Sequence, residues 1–416
     1  MKKKSLLFLV LISMIGMEVY GSFKGKNTPV DLVNPFIDTH NSRWFYFNSA
    51  CRPFGMVNLS PDTDTDKTWS SGYLYDSDSI RCFSHIHAWQ LAGIAVMPTT
   101  GKFMGHLGMD AYQSSFSHEG EIAKPGYHKV FLKDYGIIAE LSSTTRVGFH
   151  RYTFPRTSNK SIIFDTGAYL AHGPTVFSKV WKVNESEIAG LQVLSKTLRR
   201  PKDTPVYFVA RVNQPFKKML GWVENDLLEQ VTDTIMGVDA GAALFFDDLN
   251  QNQLLLKVGI SYVSVEQARK NLEAELNHWD FDQVVKDSEE VWNSWLGRIQ
   301  VSGGSYEQQV KFYTDLWHAL LGRRIISDVD GKYMDMTGDK PQVRQVALNK
   351  KGEPQFPHYN FDAWWGSHWS LNILWQVEQA STGLGRPSDS QVAFQRDNTT
   401  ENDSCLPAQW AGAPQQ

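Results

Sequence analysis

Residues 359–365, Tyr359-Asn360-Phe361-Asp362-Ala363-Trp364-Trp365, set one carboxylate among aromatic side chains, with Trp369 just beyond. Aromatic faces stack on the apolar C–H faces of sugar rings, and a carboxylate beside them accepts hydroxyl hydrogen bonds. Asp362, Trp364 and Trp365 are therefore candidate substrate-binding residues. A second pattern is Phe83-Ser84-His85-Ile86-His87-Ala88-Trp89-Gln90, with two histidines at i and i+2. On a strand that spacing puts both on one face, as two metal ligands or two hydroxyl-binding groups require. No third ligand stands at fixed spacing, which favours sugar binding or structural hydrogen bonding over a metal. Asp62, Asp64 and Asp66 alternate as in a calcium loop. The Gly and distal Glu of an EF-hand are missing and Pro61 precedes the run, so it reads as a solvated acidic loop. A glycosidase needs a protonated acid and a second carboxylate as base or nucleophile. Asp362 has no such partner downstream, and no catalytic residue is assigned.

Composition sets the frame for these residues. The chain has 416 residues, long enough for two domains, with 42% apolar and 21% charged residues, as in a folded globular protein. A net charge of −4 and the absence of long basic runs beyond the first residues argue against nucleic acid as a partner. The 14 Trp lean towards carbohydrate recognition. Lys2-Lys3-Lys4 followed by the apolar run 6–17 reads as a secretory signal cleaved between Gly21 and Ser22. The run is too short to span a bilayer, so no membrane span is expected after cleavage, and the product is exported, periplasmic or extracellular. Cys51, Cys82 and Cys405 have no metal spacing; Cys51 and Cys82 are either a disulfide, which export permits, or two buried thiols.

The elements that position these residues fall into two blocks. From about residue 28 to 263 short runs rich in β-branched and aromatic residues, such as 161–164, 206–212, 242–246 and 254–263, are bounded by turn-forming clusters, predicting an antiparallel β-sandwich. Ser264-x-x-Gln267 then opens a helix to about Leu276, and Asp280 caps a second with Phe281, Val284, Val285, Val291, Trp292, Trp295 and Ile299 on one face. Ser305-x-x-Gln308 opens a third, striped by Val310, Tyr313, Trp317, Leu320 and Leu321. A further helix is expected over 364–378. The domains are thus a signal at 1–21, a sandwich at 22–263, an incomplete helical domain at 264–378, and an irregular tail at 379–416 too polar to bury anything. The fold class is α+β multidomain.

Two loops, Val33-Asn34-Pro35-Phe36-Ile37-Asp38-Thr39 and residues 52–63 (Arg52-Pro53-Phe54-Gly55-Met56-Val57 onwards), suit a ligand rim or simple turns. With residues 83–87, 96–101, 312–321 and the turn segment 327–333, they occur in the order of the signatures of glycoside hydrolase family 92, which the chain resembles over roughly residues 30–376. Its members are calcium-dependent, inverting exo-α-mannosidases.

The resemblance implies an N-terminal β-sandwich packed on an (α/α)6 barrel, the active site in the cleft between them, and a mannose-containing glycan as partner. Calcium would grip the mannose hydroxyls, with its main ligands expected beyond the end of this chain. Asp362 falls on the family's aspartate that holds the terminal mannose. The sandwich loops that close over that sugar make Arg52, His85, His87 and Trp89 further substrate-binding candidates. Where the family continues with Ser and Gly after the second histidine, this chain has Ala88-Trp89-Gln90, as in a divergent subgroup. The family's acid and base lie in later barrel helices, so the expectation is a truncated α-mannosidase-like chain with little or no hydrolytic activity. A non-catalytic carbohydrate-binding sandwich and the product of a disrupted reading frame are the alternatives.

Overall fold

The computed structural model describes residues 27–40, 48–65, 72–88, 90–156, 159–198, 200–229, 234–321, 323–361 and 374. The signal segment, the helix expected over most of 364–378, the tail and Cys405 lie outside the described residues, as do Trp89, Asp362, Trp364 and Trp365.

Alternation of apolar side chains produces two antiparallel sheets laid face to face. The seven-stranded sheet runs, in spatial order, Ser60–Asp62, Cys82–Ser84, Ala95–Thr99, Lys160–Asp165, Ala240–Phe246, Lys218–Val223 and Asp226–Leu228. The nine-stranded sheet runs Thr234–Gly237, Thr175–Asn184, Glu187–Leu194, Thr204–Val212, Gln253–Ser261, Val147–Thr153, Ile137–Ser143, Tyr127–Leu132 and Ile122–Lys124. Between them Phe83, Val96, Ile162 and Phe164 meet Leu141, Tyr152, Phe208 and Leu256 in one core, where Phe164 and Phe208 stack at 6.0 Å. The centre of the larger sheet is buried on both faces. Phe149, Ala189 and Val209 point the other way, onto Val265, Ala268, Leu272 and Phe281.

Three long helices follow where caps and periodicity place them: Val265–Glu275, Phe281–Leu296 and Tyr306–Leu321. The Ser264 hydroxyl accepts from Gln267 N at 3.2 Å, and Asp280 Oδ1 accepts from Gln283 N at 3.0 Å. At the third helix both halves of the capping box form, Gln308 N to Ser305 Oγ and Ser305 N to Gln308 Oε1. At the first, Gln267 spends its side chain on Asp330 instead, tying the helix to the turn at Asp330-Gly331. Gly331 has φ 83°, and a Cβ there would meet Val346 Cγ2 at 2.5 Å, so this turn requires glycine.

One segment of the sandwich block packs elsewhere. Val30, Leu32, Val33 and Cys51 are buried with Trp292, Leu296, Leu316 and Trp317 of the second and third helices. Val30 N donates to Asn293 Oδ1 and Asn34 N to Thr314 Oγ1, both at 3.0 Å. The residues after the expected signal therefore stitch the helices to the sandwich.

The turn segment 327–333 is a second stitch. Buried Asp328 accepts from Asn271 Nδ2 at 2.7 Å and Ser261 Oγ at 2.9 Å. Burial pushes its carboxyl up to about 6, against the pull of those two hydrogen bonds. A raised carboxyl contributes stability that is fully present below its unfolded value and is lost as pH rises through about 6. Asp328→Asn is expected to flatten the stability–pH curve between about pH 4 and 6 and to be no less stable than the parent at pH 7.5. Asp328→Ala, which removes the acceptor of one Asn271 and one Ser261 hydrogen bond, is expected to cost about 2 kcal/mol. Urea titrations across that range check both, and an unchanged curve for Asp328→Asn would contradict the assignment.

Candidate functional site

The two histidines of residues 83–87 are wholly buried and do not share a partner. His85 sits at a break between strands Cys82–Ser84 and Ile86–Ala88. Its Nδ1 meets Ile94 O at 2.8 Å, and its Nε2 meets His150 Nε2 at 3.0 Å; His150 in turn meets the Tyr152 hydroxyl at 2.8 Å. Burial drives both imidazoles down, His85 to about 4, so both are neutral near pH 7. His87 pairs through Nε2 with Asp62 Oδ1 at 3.0 Å and through Nδ1 with Asn58 O at 2.7 Å. Burial lowers the His87 imidazolium, but the Asp62 charge and hydrogen bond outweigh it and raise it overall. Structural hydrogen bonding is what the described geometry gives these histidines. Asp62 is corrected outright: it is fully buried, accepting also from Ser84 Oγ at 2.5 Å, and is no part of a solvated loop. The thiols are free, Cys51 donating to Asn48 O and Cys82 to Asp62 Oδ2.

Arg52 turns towards the second helix, where its Nε donates to Ser288 Oγ at 3.2 Å. The next residues reach the aromatic motif. Phe54, held at φ 57°, packs edge-on against Trp295 at 4.8 Å and against Tyr359 at 5.9 Å. Phe54 O accepts from Ile325 N at 2.9 Å. Strand Tyr359–Phe361 pairs with Arg323–Ile325, and Arg324 Nη1 donates to His87 O at 2.9 Å. Buried Arg324 thus links the histidine strand to the strand that opens the motif. Sequence reasoning missed it, although a double arginine following an apolar helix was a visible signal.

Beside Tyr359 a cavity of about 500 Å³ lies between the sandwich and the later chain. The sandwich gives it Leu91, Arg200, Lys202, Thr204, Pro205 and Tyr262; the segment 326–337 and His358 close the other side. Among the described residues Asp335 is the only carboxylate on that wall. Burial pushes it up, but two hydrogen bonds from Thr337 and the Arg344 guanidinium at 2.5 Å hold it below the usual carboxylate value. It stays ionised and engaged, the wrong state for a general acid.

Among the described residues one trio could hold a metal: Asp38, Asp315 and His318, from the loop 33–39 and the third helix. Calcium asks for six to eight oxygens. Here one donor is an imidazole nitrogen and Asp315 already pairs with Lys311 Nζ at 2.5 Å. The trio does not fit calcium.

A two-sheet sandwich joined to capped helices, with a cavity between the sandwich and the segment that follows those helices, defines a sandwich-plus-helical-domain protein. The chain belongs to glycosyl hydrolase family 92: the family's N-terminal domain matches residues 32–261 and its catalytic domain residues 267–395. A family GH92 α-mannosidase from Bacteroides thetaiotaomicron is similar in structure, with TM-score 0.74 and 24% identity over 86% of this chain and 48% of that one. A GH92 glycosyl hydrolase called ccman5 is similar at TM-score 0.70 and 26% identity, covering 81% of this chain and 45% of its own. An uncharacterized secreted glycosidase of Arthroderma benhamiae is 24% identical over 304 residues, 62% of this chain and 37% of that protein. The chain spans about half the length of the solved relatives.

Proposed function

We propose that this chain forms the sandwich-side wall of an α-mannoside site and binds mannose-containing glycans. One observation carries the reading: Phe54, from the loop 52–63, meets Tyr359 of the aromatic motif at the cavity wall. Those segments are far apart in sequence, and both belong to the signatures of a family whose solved members include α-mannosidases, one in complex with mannoimidazole. Among the described residues on the cavity wall there is one carboxylate, Asp335, and it is committed to Arg344 and Thr337. Binding without appreciable turnover is therefore expected of these residues. Calcium is what the family resemblance implies; the trio Asp38, Asp315 and His318 does not fit it, and no step is routed through it. Export follows the basic and apolar start of the chain and the secreted relative. Among the described residues no helix is long and apolar enough to cross a membrane.

The test is calorimetry with methyl α-mannoside, paired with a mannose-release assay on α-mannobiose, each with calcium and with a chelator. Millimolar affinity, about −4 kcal/mol, is expected, with no mannose released and no effect of the chelator. Absence of heat at ten times that concentration would remove mannose as the ligand. Release of mannose abolished by chelation would overturn both the binding-only reading and the assignment of calcium away from these residues.

A further inference from the structure

We propose that Asp38, Asp315 and His318 bind one divalent cation of the zinc type, which clips the loop 33–39 onto the third helix. The site is independent of the mannose reading.

Two distant stretches of chain build it. Asp315 and His318 stand three residues apart on helix Tyr306–Leu321, so both side chains leave the same face. Asp38 comes from the loop opposite, where it holds a left-handed backbone at φ 65°. Successive turns enclose it: Ile37 N donates to Asn34 O at 3.2 Å and Thr39 N to Phe36 O at 3.3 Å. Asn34 N donates to Thr314 Oγ1 at 3.0 Å, which fixes the loop against the residue beside Asp315. The three ligand atoms all lie within 4.8 Å of one another. An ion centred among atoms so spaced is about 2.8 Å or less from each, and zinc bonds imidazole nitrogen and carboxylate oxygen at about 2.0–2.2 Å. Small side-chain rotations close that difference.

The donor set selects the ion. Calcium and magnesium favour all-oxygen shells, whereas one imidazole nitrogen with two carboxylates suits zinc and its transition-metal neighbours. Two carboxylate charges balance a divalent ion. The His318 ring lies 5.1 Å from that of Trp317, which restricts its rotation. Asp38 and Asp315 are exposed, so water can complete the coordination. The competitor is Lys311, whose Nζ holds Asp315 Oδ1 at 2.5 Å. Both side chains of that pair are exposed, so it is worth little and a dication displaces it.

Equilibrium dialysis of the untagged, metal-stripped full chain against Zn2+, Ca2+ or Mg2+, with the bound metal counted by mass spectrometry, tests this. One zinc per chain is expected at about 10 µM free zinc, with no calcium or magnesium taken up at the same concentration. Asp38→Asn is expected to weaken zinc about tenfold without lowering the melting temperature of the metal-free chain, and His318→Ala to weaken it further. Lys311→Met, which removes the competing ammonium, should tighten it about threefold. Cobalt(II) in place of zinc should give a visible absorption band that His318→Ala abolishes. Zinc uptake that survives both Asp38→Asn and His318→Ala, calcium bound as tightly as zinc, or no uptake at all overturns the proposal. If His318→Ala fails to fold, Asp38→Asn alone decides.

Discussion

Asp62→Ala is expected to lower the stability of the sandwich by about 3–5 kcal/mol, a loss of roughly 10 °C in melting temperature. The side chain has no solvent exposure and serves three neighbours: His87 at 3.0 Å, Ser84 at 2.5 Å and the Cys82 thiol at 3.6 Å. Alanine leaves a buried imidazole and hydroxyl without the acceptor that offset their desolvation. The damage should spread, because the His87 carbonyl receives Arg324, whose strand pairs with the one holding Tyr359. The pH dependence follows from His87. Its raised folded value means that the pair's contribution is fully present below the unfolded imidazole value and is lost as pH rises through the folded one. The gap between parent and variant should therefore be wider at pH 6 than at pH 9. A gap below about 1 kcal/mol at both would mean that the network is solvated in solution. Asp62→Asn, which keeps one acceptor, should cost less than alanine.

The second large effect is expected at Trp292→Ala, about 3–5 kcal/mol. Trp292 is fully buried, its Nε1 donates to Cys51 O at 2.7 Å, and its ring lies 6.3 Å from that of Trp317. It is the meeting point of the N-terminal segment and the second and third helices. Its loss opens a cavity, strands the Cys51 carbonyl and loosens the helix on which Ser288 holds Arg52. Hydrogen exchange should accelerate over residues 29–33 and 51–55 more than in the central strands. Trp292→Phe, which fills much of the volume, should recover more than half of the loss. Uniform acceleration across both sheets would show instead that this corner is no separate unit.

The resemblance and the local patterns were read from residues that work locally. Ser264, Asp280 and Ser305 announce helices because a hydroxyl or carboxylate three residues ahead of a backbone N–H is enough to start one. Runs of β-branched and aromatic residues at 161–164 and 206–212 gave strands now bounded at Lys160–Asp165 and Thr204–Val212. The same local reasoning failed at Asp62, because three alternating aspartates look solvated until the strand carrying His87 is laid beside them. It could not choose between the two roles of His85 and His87 either, since period two names a face and not what lies opposite.

Sequence alone determined the class of fold, the family, the helix starts and the segments that matter, because each of these depends on neighbours within a few residues. Only the tertiary structure decided that the histidines are buried in separate networks, that Cys51 and Cys82 are free, and that Phe54 touches Tyr359. The cavity belongs to the second group most clearly. Arg200, Tyr262, Asp335 and His358 share no local spacing, and the partners Gln90 and Arg344 that engage Arg200 and Asp335 come from other strands and turns. Whether a polar residue is open to a ligand or already engaged depends on those distant partners, which the order of residues along the chain does not reveal.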